Sequence, residues 1–98
     1  MAQTKTETRS RTKLSYPKQW NVIIMNDDYT PMEFVVQLLI EIFNKDLEKA
    51  TSITMQIHSE GSAVAGTYNY EVAEQKVHEA SVVSRHNNHP LKIIMDEL

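Results

Sequence analysis

The sequence predicts an α+β fold, a three-stranded antiparallel sheet with three helices packed on one face, in the order β-α-α-β-α-β. Three observations lead there. Short runs rich in β-branched and aromatic residues lie near the start, middle and end of the ordered part of the chain. Longer segments between them repeat apolar residues at spacings of three and four. Cap and turn residues separate the segments. With 98 residues the chain can bury one modest core, which suits a single covered sheet.

Residues 1–18 are rich in Thr, Ser, Lys and Arg and offer almost nothing to bury, so they read as a flexible basic tail ahead of a core domain at 19–98. Residues 20–25 form the first strand. A helix is then expected to start at Pro31, with Thr30 as N-cap, Pro31 at the first helical position and Glu33 completing a capping box. In it Glu33, Gln37 and Glu41 make one polar stripe, and apolar residues occupy the remaining circumference. Asn44 and Lys45 turn the chain, and Asp46 caps a second helix running to about residue 58, with Leu47, Ala50, Ile53, Thr54 and Ile57 on a shared face. Gly61 ends that helix. Residues 63–68 form the second strand, with Gly66 at a bulge or close approach. Asn69 caps a third helix over 70–87, its inward side formed by Val72, Ala73, Val77, Ala80 and Val83. Pro90 forbids more helix, and residues 91–95 are the last strand.

Charge divides the chain. Residues 1–20 hold five basic groups and one acidic group, whereas residues 21–98 hold five basic and twelve acidic groups. An acidic body repels phosphate, and no aromatic residues interleave the basic ones, so a nucleic-acid partner is not expected. The absence of cysteine excludes disulfides, thiolate catalysis and Cys-based zinc sites. No apolar run is long enough for a membrane span or a secretory signal, which leads to the expectation of a cytoplasmic protein without a membrane partner.

Catalytic and metal patterns are weak. His86 and His89 stand at a helix end without the facing ligands of a tetrahedral site, and no metal is expected. Asp27-Asp28-Tyr29-Thr30 lacks the glycine and the distal bidentate Glu of a calcium loop. No nucleophile sits in a strained Gly-flanked turn. Neither an enzyme nor a cofactor is expected.

The stretch Asn26-Asp27-Asp28-Tyr29-Thr30-Pro31-Met32-Glu33 is different, because it sets two carboxylates and an amide above an apolar helix. Carboxylates only accept hydrogen bonds, so acceptors beside apolar side chains suit a cation attached to an apolar group, such as a free protein N-terminus with a large hydrophobic first residue. His58, one turn after Thr54, can lie near this loop; spacing alone leaves open whether it is a ligand or a surface histidine.

The run Val22-Ile23-Ile24-Met25-Asn26-Asp27-Asp28-Tyr29-Thr30-Pro31-Met32-Glu33-Phe34-Val35 is followed by Ala50-Thr51, Ile57-His58 and Gly61, then Glu71-Val72-Ala73-Glu74-Gln75-Lys76-Val77 and His89-Pro90-Leu91. Together these resemble the ClpS family, adaptors that deliver N-degron substrates to a Clp AAA+ protease, over about residues 19–96. The resemblance implies a fold like the C-terminal domain of the ribosomal stalk protein, and a ribosome-associated structural domain of that fold is the contrasting reading. It implies that Asn26, Asp28 and His58 bind the substrate α-ammonium, that Thr30, Met32, Val35, Thr54, Ile57 and Leu91 line the pocket for the first side chain, and that Asp27 lies at the rim near the substrate backbone. The family commonly has methionine where this chain has Thr54. Glu71 and Lys76 would contact the N-terminal domain of a ClpA-like unfoldase. The implied protein is a monomeric bacterial adaptor that takes substrates beginning with Leu, Phe, Tyr or Trp and modulates which substrates are degraded.

Overall fold

The computed structural model describes residues 18–98; the tail expected at the start of the chain lies, but for Lys18, outside the described residues. The six elements follow the expected order: β1 Gln19–Met25, α1 Met32–Glu41, α2 Leu47–Glu60, β2 Ser62–Asn69, α3 Tyr70–His86 and β3 Lys92–Glu97. The sheet order is β2-β1-β3, with β1 antiparallel to both neighbours. Alternation along the strands turns Val22 and Ile24 of β1, Ala63 and Ala65 of β2 and Ile93 of β3 to one face. They form a single buried cluster with Val35, Leu38 and Leu39 of α1, Ala50, Ile53 and Ile57 of α2, and Ala73 and Ala80 of α3. Helix α1 lies against α2, and α2 and α3 lie against the sheet.

Local chemistry sets most boundaries. The Asp46 side chain accepts from the amide of Lys49 at 2.8 Å to start α2, and that of Asn69 accepts from the amide of Val72 at 3.0 Å to start α3. Gly61, at φ +93°, ends α2 in the left-handed region as expected, and the helix runs to Glu60, two residues beyond its expected last residue. Asn44 adopts φ +58° in the turn after α1, and Asn88 adopts φ +61° after α3. Opposite β1, the register of β2 shifts between Val22 and Ile23, so Ala65 is the extra residue of a bulge. Beside it the Tyr68 ring lies where a Cβ of residue 66 would stand, so glycine answers a close approach as well as a bulge.

Several expectations are corrected. α1 begins at Met32, one residue late, with an extended Pro31 at the cap position and no side-chain cap. The carbonyl of Pro31 accepts from the amides of Phe34 and Val35. Thr30 is diverted because its hydroxyl and amide both bond to the Asp27 carboxylate, a charged acceptor that competes better than a capping geometry. Leu47 is 66% exposed, because it occupies the first position of α2 and projects at its end. Val72 is likewise exposed in the first turn of α3, and Val77 and Val83 are only half-buried. The residues of α3 that are fully buried are Ala73, Ala80 and Ser84, so small side chains carry the helix close to the sheet. β3 runs one residue later at its start and two later at its end than expected.

Two polar groups in the core are satisfied locally. The hydroxyls of Thr54 and Ser84 donate to the carbonyls of Ala50 and Ala80, each at 2.8 Å.

Candidate functional site

The antiparallel pairing brings four chain segments to one end of the sheet. Met25, the last residue of β1, pairs with Ser62 on one side and Lys92 on the other. The next amide, that of Asn26, donates to the carbonyl of Gly61 at 2.9 Å and so fastens the loop to the end of α2. This bond places Asn26 near His58, which lies in the last turn of α2. Leu91, just ahead of β3, stands on the opposite side of Asn26. The start of α1 closes the remaining side with Met32 and Val35.

A cavity of about 20 Å³ forms there, lined by Asn26, Asp27, Thr30, Met32, Val35, Thr54, Ile57, His58 and Leu91. Every residue expected in the first-side-chain pocket is present, as are Asn26 and His58 of the expected ammonium set and Asp27 of the rim. Asp28 is not part of the lining and stands exposed in the loop beside it. Val35, Thr54, Ile57 and Leu91 are buried, whereas Met32 is 39% exposed. Because the Thr54 hydroxyl is committed to Ala50, position 54 offers the cavity no free donor.

Asp27 has a more definite place than the rim. Its Oδ1 accepts from the amides of Tyr29 and Thr30, each at 2.8 Å, and its Oδ2 accepts from the Thr30 hydroxyl at 2.7 Å. Partial burial works to raise its pKa, but the Thr30 hydroxyl, the two amides and the neighbouring His89 outweigh it and hold the carboxyl below its usual value. Asp27 is thus an ionised clasp that gives the loop its shape. His89, placed by the sequence at a helix end without metal partners, is half-buried with its ring edge-on to Phe34 at a centroid distance of 4.5 Å. No spacing rule marks it; adjacency to Pro90-Leu91 is the one available sign.

Glu71 and Lys76 lie elsewhere. α3 begins just after Asn69, which pairs with Gln19 at the end of the sheet away from the cavity. Glu71 is exposed in the first turn of α3. Lys76 is half-buried: its Nζ donates to the carbonyl of Ile42 at 2.7 Å and lies 5.9 Å from the Tyr68 ring centroid. That carbonyl belongs to the residue that caps the end of α1, where a positive charge is favoured.

Among the described residues no three His, Cys, Asp or Glu side chains converge as a metal site, and no helix is long and apolar enough to cross a membrane. Fold and cavity together define a small binding module, whose site pairs hydrogen-bond acceptors with an apolar recess. The family model for the ATP-dependent Clp protease adaptor protein ClpS matches residues 15–94. The Clp protease adapter protein ClpS of Vibrio atlanticus is 44% identical over 90 residues, covering 92% of this chain and 85% of that one. Its counterpart from Helicobacter hepaticus is 41% identical over 98 residues, covering 100% and 99%. Among solved structures, Agrobacterium tumefaciens ClpS2 bound to L-phenylalaninamide superposes with a TM-score of 0.82 at 32% identity, over 85% of this chain and 100% of that chain. The chain belongs to the ClpS family, and it is an adaptor of the Clp protease rather than an enzyme.

Proposed function

We propose that this adaptor captures proteins through a free N-terminus bearing Leu, Phe, Tyr or Trp and hands them to a ClpA-like unfoldase in the bacterial cytoplasm. The observation that carries the reading is the bond from the Asn26 amide to Gly61, which sets Asn26 and His58 together at an apolar cavity. An α-ammonium has three donors; Asn26, Asp28 and His58 each carry an atom able to accept one. The ligand bound to the Agrobacterium ClpS2, L-phenylalaninamide, has this chemistry: one ammonium and one aromatic side chain.

A cavity of about 20 Å³ holds little more than one water, so the first side chain enters by displacing the mobile wall. Met32 is exposed and unbranched, with three rotatable bonds, and can swing aside while the buried residues stay fixed. Burying a Leu or Phe side chain contributes about 1.5–3 kcal/mol, and each charge-assisted bond to the ammonium about 1.5–3 kcal/mol before desolvation and ordering costs. A net of about −8 kcal/mol corresponds to micromolar affinity, which suits a carrier that must release its cargo. Glu71 and Lys76 lie toward the other end of the sheet, so an unfoldase held there leaves the cavity open to cargo.

Fluorescence anisotropy with Phe-peptides that are free or acetylated at the N-terminus tests the reading. Acetylation removes the charge and strands the acceptors, and affinity should fall at least tenfold. Equal affinities would end it.

A further inference from the structure

Next to the cavity lies an open recess of about 540 Å³ lined by Tyr29, Arg85, Asn88, His89 and Pro90. We infer that this recess is a second subsite of the cargo site, and that it takes an acidic side chain at the third residue of the bound protein. The inference rests on the N-terminal reading given above.

Topology supplies the direction. At this end of the sheet the order across the strands is Gly61 before β2, Asn26 after β1, and Leu91 before β3. His58 therefore lies on the β2 side of Asn26, and His89-Pro90-Leu91 on the β3 side. At the Cα of a bound first residue the ammonium, side chain and carbonyl diverge tetrahedrally. With the side chain in the cavity and the ammonium at Asn26 and His58, the chain has the β3 side of the rim to leave by. The two hollows adjoin there, since Thr30 and Leu91 line the first while their neighbours Tyr29 and Pro90 line the second. Two extended residues span about 7 Å, which carries the third side chain past the shared wall.

The lining dictates the chemistry. Arg85 brings a permanently charged fork of donors, Asn88 an amide, His89 an imidazole and Tyr29 a hydroxyl, and no carboxylate belongs to the recess. The carboxylate of Asp27 faces His89 from the adjoining loop, but it is taken up by the Thr30 hydroxyl and the amides of Tyr29 and Thr30, which leaves the charge of Arg85 to the recess. Arg85 has no carboxylate partner among the described residues, where the ion pair is Lys18–Glu97. His89 is anchored against Phe34, so one wall is set before cargo arrives. A carboxylate offers acceptors to all of these donors, and its charge answers that of Arg85.

The test is a titration of the full chain with Phe-peptides carrying Asp, Ala or Lys at position three, each free and N-acetylated, with the same substitutions at position six for comparison. Asp at position three should bind about two- to fivefold more tightly than Ala, with Lys weaker than Ala, and the spread should shrink as salt rises. Arg85→Gln should bring the Asp-to-Ala ratio near one, and Arg85→Glu should invert the order so that Lys binds best. Arg85 is exposed on the last turn of α3, so both variants keep the core intact. Equal binding of the three free peptides at position three, or the same spread at position six, overturns the subsite while the dependence on a free N-terminus stands. Equal binding of free and acetylated peptides overturns the N-terminal reading and the subsite with it.

Discussion

Oδ2 of Asp27 accepts a hydrogen bond from Oγ1 of Thr30 at 2.7 Å, while its Oδ1 takes the amides of Tyr29 and Thr30. One carboxylate thereby shapes the loop between the proposed ammonium acceptors and the first residue of α1. Asp27→Ala should lower stability by about 1–2 kcal/mol and weaken Phe-peptide binding about tenfold, because Asn26 and Asp28 lose their common frame. Chemical denaturation and anisotropy on the same variant check both effects.

The same residue sets a pH dependence. Its folded pKa lies below the ordinary 3.8, so its contribution to stability is fully present above that value and is lost as pH falls through the lower folded pKa. The stability difference between the native protein and Asp27→Asn should be constant above about pH 5 and should narrow below about pH 4. Urea unfolding across that range gives the answer; a gap that stays constant to pH 2 contradicts an ionised clasp.

For Asp28 and His58 a ligand role can be told from a structural one. Removing one acceptor of a charge-assisted bond costs about 1.5–3 kcal/mol, so Asp28→Ala and His58→Ala should each weaken a free Phe-peptide by ten- to a hundredfold, in that order of magnitude. Neither change should alter stability by more than about 0.5 kcal/mol, since both side chains are exposed. Paired titrations and melts distinguish a ligand role from damage to the fold.

Thr54 lets the first residue be ranked. Its hydroxyl is turned back to Ala50, so only a methyl remains where a methionine would reach further. A wider wall loses contact with compact Leu more than with Phe. Thr54→Met should therefore reduce the preference for Phe over Leu by about 1 kcal/mol, the size of one or two methylene contacts. An unchanged ratio in matched peptides removes position 54 from the specificity wall.

Delivery should divide between two regions. Lys76→Ala removes the bond to Ile42 at the end of α1 and should cost about 1 kcal/mol of stability as well as unfoldase docking. Glu71→Ala, at an exposed position, should weaken docking alone. A variant lacking residues 1–17, which offer little to bury, should bind peptide normally yet fail to stimulate degradation. Full stimulation by the shortened chain in a reconstituted degradation assay argues against a delivery role for that segment.

The parts legible in the sequence are those governed by residues three or four apart. The caps Asp46–Lys49 and Asn69–Val72 and the stop at Gly61 need no knowledge of the rest of the chain. The motif from Asn26 to Glu33 likewise marked where the cavity forms, since Asn26, Asp27, Thr30 and Met32 all line it. Even locally the reading slipped where two partners competed: Thr30 could cap α1 or bond Asp27, and the charged acceptor won. What only the tertiary structure decided involves partners remote in sequence. The Asn26–Gly61 bond that assembles the cavity, the Lys76–Ile42 bond that ties α3 to α1, and the placement of His89 between Phe34 and Asp27 have no periodicity to reveal them. Neither does the choice of Ala73, Ala80 and Ser84, rather than the valines, as the surface on which α3 sits. Pattern reports which side of a helix is apolar, but how closely that side approaches the sheet, and which distant backbone groups it leaves to be bonded, depends on the packing of all the elements at once.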